Sequence, residues 1–170
     1  SDNGYSDLKK YKYSSLKTRH HRRIRKKNNI AAVEIHHSLL PDKYANEFNY
    51  KIVQKNCQVI KHINALSNED SLNLSIISSQ INDDGFYFKT INLRNAYDVY
   101  LLSKQTNAKK AISKFEMLKN PLNCFLATCY VTFGNIESLQ YYKTKEAESY
   151  LSMFNSLILS NKKRKFIIKL

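Results

Sequence analysis

Glycine, proline and tryptophan are scarce in this chain of 170 residues, which contains three glycines, two prolines and no tryptophan. The glycines at positions 4, 85 and 134 are too far apart to form a glycine-rich phosphate loop. The sequence also contains no Gly-x-Ser-x-Gly segment, the turn that exposes a nucleophilic serine in hydrolases. These absences exclude a nucleotide-binding loop and a hydrolase elbow of the common kinds.

Cysteine and long apolar runs are also limited. Cys57, Cys124 and Cys129 form no Cys-x-x-Cys pair, so the sequence predicts neither a disulfide framework nor a zinc site. Free thiols of this kind favour a reduced, cytoplasmic setting. No apolar run reaches the ~18–20 residues that a membrane span requires, and no signal-peptide pattern is present. The sequence therefore predicts a chain without a membrane span.

Carboxylates are half as frequent as basic residues: 14 Asp and Glu stand against 28 Lys and Arg, for a net charge of +14. Such an excess favours nucleic acid, nucleotide phosphates or another polyanion as a partner. Residues 8–27 hold ten Lys and Arg and no carboxylate, with Tyr11 and Tyr13 among the first lysines. Two interpretations remain open: a binding segment in which tyrosines stack on bases, or a solvated run of charge.

The clearest strand pattern lies between Asn28 and His37. In an extended chain Ala31, Val33 and Ile35 share one face, which we expect to be buried, whereas Glu34 and His36 share the other. A preceding strand over residues 18–24, with a turn at residues 26–29, would form a hairpin with it, because asparagine tolerates the left-handed backbone of tight turns. The sequence thus predicts a small antiparallel β piece near the N-terminus.

Helical patterns dominate the remainder of the chain. Ser67 and Thr144 are typical N-caps, Pro121 suits a first helical turn, and Gly85 and Gly134 are typical of helix ends. One helix is predicted over residues 91–103, with its buried side formed by Leu93, Ala96, Tyr97, Tyr100 and Leu101. The expected fold class is α+β, with the small β piece packed on a mostly helical C-terminal bundle. We expect a single domain, with a β hairpin region over residues 1–40 and a mainly helical region over residues 41–170.

Glu34 is the main candidate for chemistry. A strand carboxylate beside open space suits Mg²⁺, which is often held by one or two carboxylates together with substrate phosphates. Alternatively, Glu34 is a solvent-facing strand residue paired across the hairpin with Arg22 or Lys26. A zinc site at the histidine pairs 20–21 and 36–37 is disfavoured, because adjacent strand residues point to opposite faces.

Three segments together resemble the uncharacterised bacterial nucleotidyltransferase family of the polymerase-β-like superfamily. The first is a hydrophobic–carboxylate–hydrophobic–His strand, here Val-Glu-Ile-His at residues 33–36, preceded by a His-containing strand at residues 20–21. The second is a Leu-Ser-x-Glu-Asp-x-Leu helix start at residues 66–72, and the third is a helix that opens with Leu-Arg at residues 93–94 and carries Asp98. The resemblance covers roughly residues 4–103.

The resemblance implies that Glu34 is a catalytic, metal-binding carboxylate for Mg²⁺, beside a nucleoside triphosphate. His36, Arg22, Arg23 and Lys26 would then contact the substrate, and a nucleotidyl group would pass to an unknown acceptor. The Asp-x-Asp strand of the family does not occur in this sequence. The resemblance therefore applies to the later portion of a longer protein, or to a degenerate homologue. The alternative function is a non-enzymatic, basic nucleic-acid-binding module that uses residues 9–27.

Overall fold

The computed structural model describes residues 5–7, 24–28, 30, 32–33 and 35–160. The chain divides into two compact units, an N-terminal unit (Ser1–Tyr50) and a helical unit (Lys51–Leu170). The predicted α+β class is confirmed, because a small antiparallel sheet precedes a mostly helical remainder. The boundary between the units lies ten residues beyond the one expected at residue 40, and the expectation of a single domain stays a prediction.

The sheet of the N-terminal unit contains β1 (Tyr5–Asp7), β2 (Ile24–Lys26) and β3 (Ala32–Val33), in the order β1-β2-β3. Both pairings are antiparallel, with Tyr5 opposite Lys26 and Ile24 opposite Val33. The described residues therefore contain part of the predicted hairpin, as β2 and β3. Asn28 in its turn has a φ of 68°, the left-handed conformation that asparagine tolerates. Strand β1 was not predicted.

Two details of the predicted hairpin are wrong. Lys26 belongs to the strand and not to the turn. Val33 and Ile35 do not face a core, since 43% and 53% of their surfaces are exposed. Strands of two and three residues present too little surface to cover a core face, and Leu40 and Phe48 are instead the buried apolar residues described in this unit. Residues 18–23, Ala31 and Glu34 lie outside the described residues.

Short elements lie on either side of the boundary between the units. The N-terminal unit contains a 3-10 turn at Asp42–Tyr44, and α1 (Tyr50–Val53) begins at the boundary. A second hairpin is formed by β4 (Gln58–Ile60) and β5 (Ile63–Ala65), where the sequence pattern was ambiguous. Lys61 and His62 form its two-residue turn, with φ values of 49° and 67°. Positive φ at both central residues is the mark of a turn that matches the twist of the two strands.

Helix α2 (Asn68–Ile77) starts where its sequence predicts. The Ser67 Oγ accepts from the Asp70 N–H at 3.1 Å and donates to the Asp70 carboxylate at 3.0 Å. Asp70 is buried, and its other carboxylate oxygen binds Lys114 Nζ at 2.8 Å; Glu69 binds the same nitrogen at 3.0 Å. Burial lowers the pKa of Lys114, but its hydrogen bonds to Asp70 and Glu69 outweigh burial and leave that pKa raised.

The predicted cap at Gly85 is wrong. Helix α2 continues as a π-helical segment over Ser78–Asn82, Asp84 takes the left-handed conformation, and Gly85 begins α3 (Gly85–Phe88). A Cβ atom at Gly85 would lie 2.4 Å from Ser79 O and 2.9 Å from Thr90 O. Glycine is therefore required here by a close backbone approach, not by its freedom to adopt positive φ.

Helix α4 (Leu93–Ser103) forms as predicted, but its buried side is predicted only in part. Ala96 is buried as expected, together with Val99 and Ser103, whereas Leu93, Tyr97 and Leu101 are 69%, 53% and 43% exposed. The helix packs on α2, and the Asn95 side chain donates to Ser75 O of α2 at 2.9 Å. Small side chains allow two helices to approach closely, so the larger residues remain on the outer side.

The centre of the unit is α6 (Lys119–Thr132), which follows α5 (Ala108–Ala111) and a 3-10 turn at Ile112–Lys114. Every residue from position 121 to position 129 is buried, and Gly134 ends the helix with a φ of 85°, as its sequence predicts. Helix α7 (Lys145–Leu159) packs on α6 and has Thr144 as its predicted N-cap, with Ala147 and Tyr150 buried. None of the helices in the described part of the chain has the length and apolarity of a membrane span.

Candidate functional site

Three of the five site residues predicted from the sequence, Glu34, Arg22 and Arg23, lie outside the described residues, as does the histidine pair at residues 20–21. The other two, Lys26 and His36, are both exposed. With Ile24 opposite Val33, Lys26 lies near the turn of the hairpin and His36 lies beyond its other end. The structure therefore does not bring these two residues together.

Magnesium binding finds no support among the described residues. Within them, no three His, Cys, Asp or Glu side chains come close enough together to hold a metal ion. Glu34, to which the family resemblance assigns the Mg²⁺, lies outside the described residues, so this metal site stays a prediction.

The three cysteines differ in accessibility. Cys57 is partly exposed, with its thiol 3.5 Å from Val53 O, whereas Cys124 and Cys129 are buried. Burial raises the pKa of Cys124 to about 11 and raises that of Cys129 further. Since the thiolate is the reactive form, both buried thiols are inert near neutral pH.

We expect iodoacetamide to modify Cys57 of the native protein well before the other two cysteines, as read by mass spectrometry of peptides. Cys124 and Cys129 should react only when the protein is unfolded in urea, which also serves as the control for their intrinsic reactivity. Equal modification of Cys124 and Cys57 in the native protein would show that α6 is not buried as described.

A lysine–tyrosine surface on the helical unit is the best-defined candidate site. We use this name for Tyr100, Lys104, Lys109, Lys119 and Tyr142. The Nζ atoms of Lys109 and Lys119 each lie 4.8 Å from the centre of the Tyr142 ring. Two cations from separate elements, α5 and α6, thus flank one aromatic ring. Such contacts are attractive because the ring face carries partial negative charge.

The position of Tyr142 is fixed by its backbone. Asn123 of α6 is buried; its Nδ2 donates to Tyr142 O at 2.8 Å and its Oδ1 accepts from Tyr142 N at 2.7 Å. A loop residue is thereby tied to the central helix by two hydrogen bonds. The backbone that carries the ring is held in place before any ligand arrives, which lowers the entropic cost of binding against it.

The other tyrosine of the surface lies on α4. Lys104 Nζ is 4.2 Å from the centre of the Tyr100 ring, and that ring stacks on Phe133 at 5.2 Å. Tyr100 is only partly buried, and Tyr97, one turn away, is more exposed. A second aromatic ring with an adjacent cation therefore borders the outer side of α4.

A cleft of about 240 Å³ connects the two groups. Its lining is polar and consists of Ser103, Thr106, Asn107, Lys109, Glu137, Ser138 and Gln140. Lys109 of the lining also contacts Tyr142, and Ser103 of the lining donates to Tyr100 O at 2.8 Å and precedes Lys104. Both Lys–Tyr groups thus adjoin one polar recess.

Sequence reasoning missed this surface. Tyr100 was placed among buried residues, and no pattern joined positions 109, 119 and 142. The available signal was the basic and aromatic content of two connections, Lys109-Lys110 and Tyr141-Tyr142-Lys143. That signal shows neither the Asn123 hydrogen bonds nor the packing of α5 on α6 that brings the three residues together.

Comparison of the chain with protein-family models, with curated proteins and with solved structures gives no match. The candidate site therefore depends on the geometry of the described residues alone.

Proposed function

We propose that this chain is a non-enzymatic module that binds single-stranded nucleic acid through the lysine–tyrosine surface. The observation that carries the proposal is the Tyr142 ring, held by Asn123 and flanked by Lys109 and Lys119 at 4.8 Å. Aromatic rings on which bases stack, beside cations that contact the backbone phosphates, are the usual means of binding unpaired strands. A base that stacks on Tyr142 takes the place of a lysine over the ring, and the ammonium groups then lie within reach of its flanking phosphates.

The distribution of charge supports the same partner. Residues 51–160 contain twelve Lys and Arg against nine Asp and Glu, so this part of the helical unit has little net charge. Most of the excess lies in residues 8–27 and in residues 162–169, which contain no carboxylate. Basic segments of this kind add sequence-independent attraction to a phosphate backbone. In this proposal the structured surface stacks bases, and the basic segments raise affinity.

The test is fluorescence anisotropy of labelled single-stranded oligonucleotides, RNA and DNA, titrated with the full chain at several salt concentrations. The logarithm of the affinity should fall linearly with the logarithm of the salt concentration, because bound cations are released from the phosphates. A duplex of the same sequence is the control and should bind more weakly, since its bases cannot stack on a protein ring. Absence of binding at low salt, or affinity that does not change with salt, would contradict the proposal.

The proposal places the chain in the cytoplasm, where nucleic acid and reduced thiols occur together. The thiols of Cys57, Cys124 and Cys129 are all free, which is consistent with that location.

A second candidate is nucleotidyl transfer by a longer protein, in which Glu34 helps to bind Mg²⁺ and a nucleoside triphosphate. Its support is the motif of residues 33–36 together with the antiparallel pairing of β2 and β3 just before it. Isothermal titration of the chain with a nucleoside triphosphate, with and without Mg²⁺, tests it. Magnesium-dependent binding that is lost in Glu34→Gln would support this candidate, and equal behaviour of the two proteins would remove it.

A further inference from the structure

The polar cleft beside Lys109 has a chemically asymmetric lining. It lies between the end of α4, the start of α5 and the 3-10 turn at Glu137–Leu139. Hydroxyl, amide and charged side chains form its lining, and no apolar residue belongs to it. Most cofactor pockets are larger and mainly apolar, at roughly 300–1,000 Å³. This cleft therefore suits a small ligand with many hydroxyl groups.

One wall presents hydrogen-bond acceptors. When the single hydroxyl proton of Ser103 goes to Tyr100 O, the 2.8 Å contact between the two serine Oγ atoms is donated by Ser138. In that arrangement Ser138 Oγ meets a ligand as an acceptor. Glu137, its neighbour in the lining, is an acceptor when ionised. Adjacent acceptors of this kind suit the hydroxyl protons of a sugar.

The lining residues at the start of α5 present donors. Asn107 Oδ1 accepts from Lys110 N at 2.8 Å, which leaves the Nδ2 group of this amide to donate into the cleft. Lys109 adds a cation in the same part of the lining. A donor amide beside an ammonium group suits a phosphate or another anion. The cleft thus has an anion-binding end and a hydroxyl-binding end.

We infer that this cleft binds a ribose phosphate group, with the phosphate toward Lys109 and Asn107 and the ribose hydroxyls toward Ser138 and Glu137. If the ribose phosphate belongs to a nucleic-acid strand, the inference rests on the proposed function, because Lys109 also flanks Tyr142. It then adds a preference for RNA, since a 2′-hydroxyl distinguishes RNA from DNA where a protein contacts it. A free pentose phosphate offers the same chemistry and is the second source.

The experiment follows backbone amide shifts of the ¹⁵N-labelled full chain by NMR, with ribose 5-phosphate, 2-deoxyribose 5-phosphate and inorganic phosphate as ligands at millimolar concentrations. Ribose 5-phosphate should shift residues 103–109 and 136–140 and should bind more tightly than the deoxy compound. The double variant Thr106→Val, Ser138→Ala removes two hydroxyls of the lining and keeps the cation. It should weaken ribose 5-phosphate about fivefold or more, since a hydrogen bond contributes about that factor.

Lys119→Ala is the matched control, because Lys119 contacts Tyr142 but does not line the cleft. It should leave ribose 5-phosphate binding unchanged and weaken the oligonucleotides. The same proteins titrated with an RNA strand and a DNA strand of equal length distinguish the two sources. If the wild type prefers RNA and the double variant does not, the cleft binds a ribose phosphate that belongs to a strand. If the chain binds ribose 5-phosphate but no oligonucleotide, the cleft binds a free ligand and the proposed function is removed.

Two results would overturn the inference. The first is an absence of shifts at residues 103–109 and 136–140 with ribose 5-phosphate. The second is equal affinity for the ribose and deoxyribose compounds in both the wild type and the double variant. Either result can accompany normal oligonucleotide binding, so failure of this inference is distinct from failure of the proposed function.

Discussion

We expect Gly85→Ala to lower the free energy of unfolding of the helical unit by about 3 kcal/mol, the upper end of the range for extra carbon atoms forced into a packed interior. The added Cβ would lie 2.4 Å from Ser79 O and 2.9 Å from both Thr90 O and the Gln80 side-chain nitrogen. Two of these three neighbours are backbone atoms, so relief requires the chain itself to move. Urea unfolding followed by far-ultraviolet circular dichroism measures the change.

The backbone movement at Gly85 should also disturb a buried hydrogen-bond network around Tyr150. The Tyr150 hydroxyl oxygen lies 3.2 Å from each of two acceptors, Gln80 Oε1 and Gly85 O, and Gln80 Nε2 donates to Thr90 O at 3.1 Å. Burial raises the pKa of Tyr150, so its hydroxyl remains a donor across the accessible pH range. Moving the Gly85 backbone therefore disturbs the contact between α7 and the end of α2.

Gly134→Ala is the matched control for this prediction. Gly134 has a φ of 85° and no atom within 4 Å of the position of a Cβ, so alanine meets conformational strain alone, about 1 kcal/mol. Gly134→Asn should cost less, because asparagine tolerates this conformation. A loss of stability at Gly85 no larger than that at Gly134 would contradict the packing described around Ser79.

The Lys109→Ala, Lys119→Ala double variant should bind single-stranded RNA roughly tenfold less tightly at moderate salt. Each lysine that contacts a phosphate contributes about one to the slope of log affinity against log salt, so the slope should fall by about two. Both lysines lie at the surface and pack against the Tyr142 ring, so their removal should leave the fold intact. Anisotropy titrations at four salt concentrations give both quantities.

The matched control is Lys51→Ala, Lys55→Ala, which removes the same charge from exposed positions on α1 and the following 3-10 turn. General attraction to a polyanion predicts equal losses for the two double variants. Recognition at the lysine–tyrosine surface predicts a larger loss for Lys109 and Lys119. Equal losses would mean that the surface is no more than part of a diffuse positive charge.

Local chemistry in the sequence predicted the helix starts well. Ser67 and Thr144 cap α2 and α7 because each hydroxyl meets an N–H only three residues away, and that geometry depends on no distant neighbour. The hairpin turn at Asn28 was predictable for the same reason. Features that a few consecutive residues determine can be read from the sequence.

Features that depend on distant residues were predicted wrongly or not at all. The outer side of α4 was assigned to the core because Leu93, Tyr97 and Leu101 repeat at helical spacing, yet close packing on α2 selects Ala96 and Val99. Gly85 was read as a cap because its requirement comes from Ser79 and Thr90 across the turn.

The candidate site divides in the same way. The lysine–tyrosine surface brings together side chains from α4, α5, α6 and the connection before α7, where Asn123 holds the Tyr142 backbone, so no short motif encodes it. Glu34 was proposed from a short motif and a family resemblance, and its role as a metal ligand stays a prediction.

The most direct measurement of the central claim compares the affinities of Tyr142→Ala and Tyr142→Phe for a single-stranded RNA with that of the wild type. Stacking of one base on a ring contributes about 1–3 kcal/mol, so Tyr142→Ala should bind roughly tenfold more weakly, with an unchanged salt slope. Tyr142→Phe keeps the ring and should bind like the wild type. Wild-type affinity in Tyr142→Ala would contradict the claim that this ring, flanked by Lys109 and Lys119, is where the chain meets its partner.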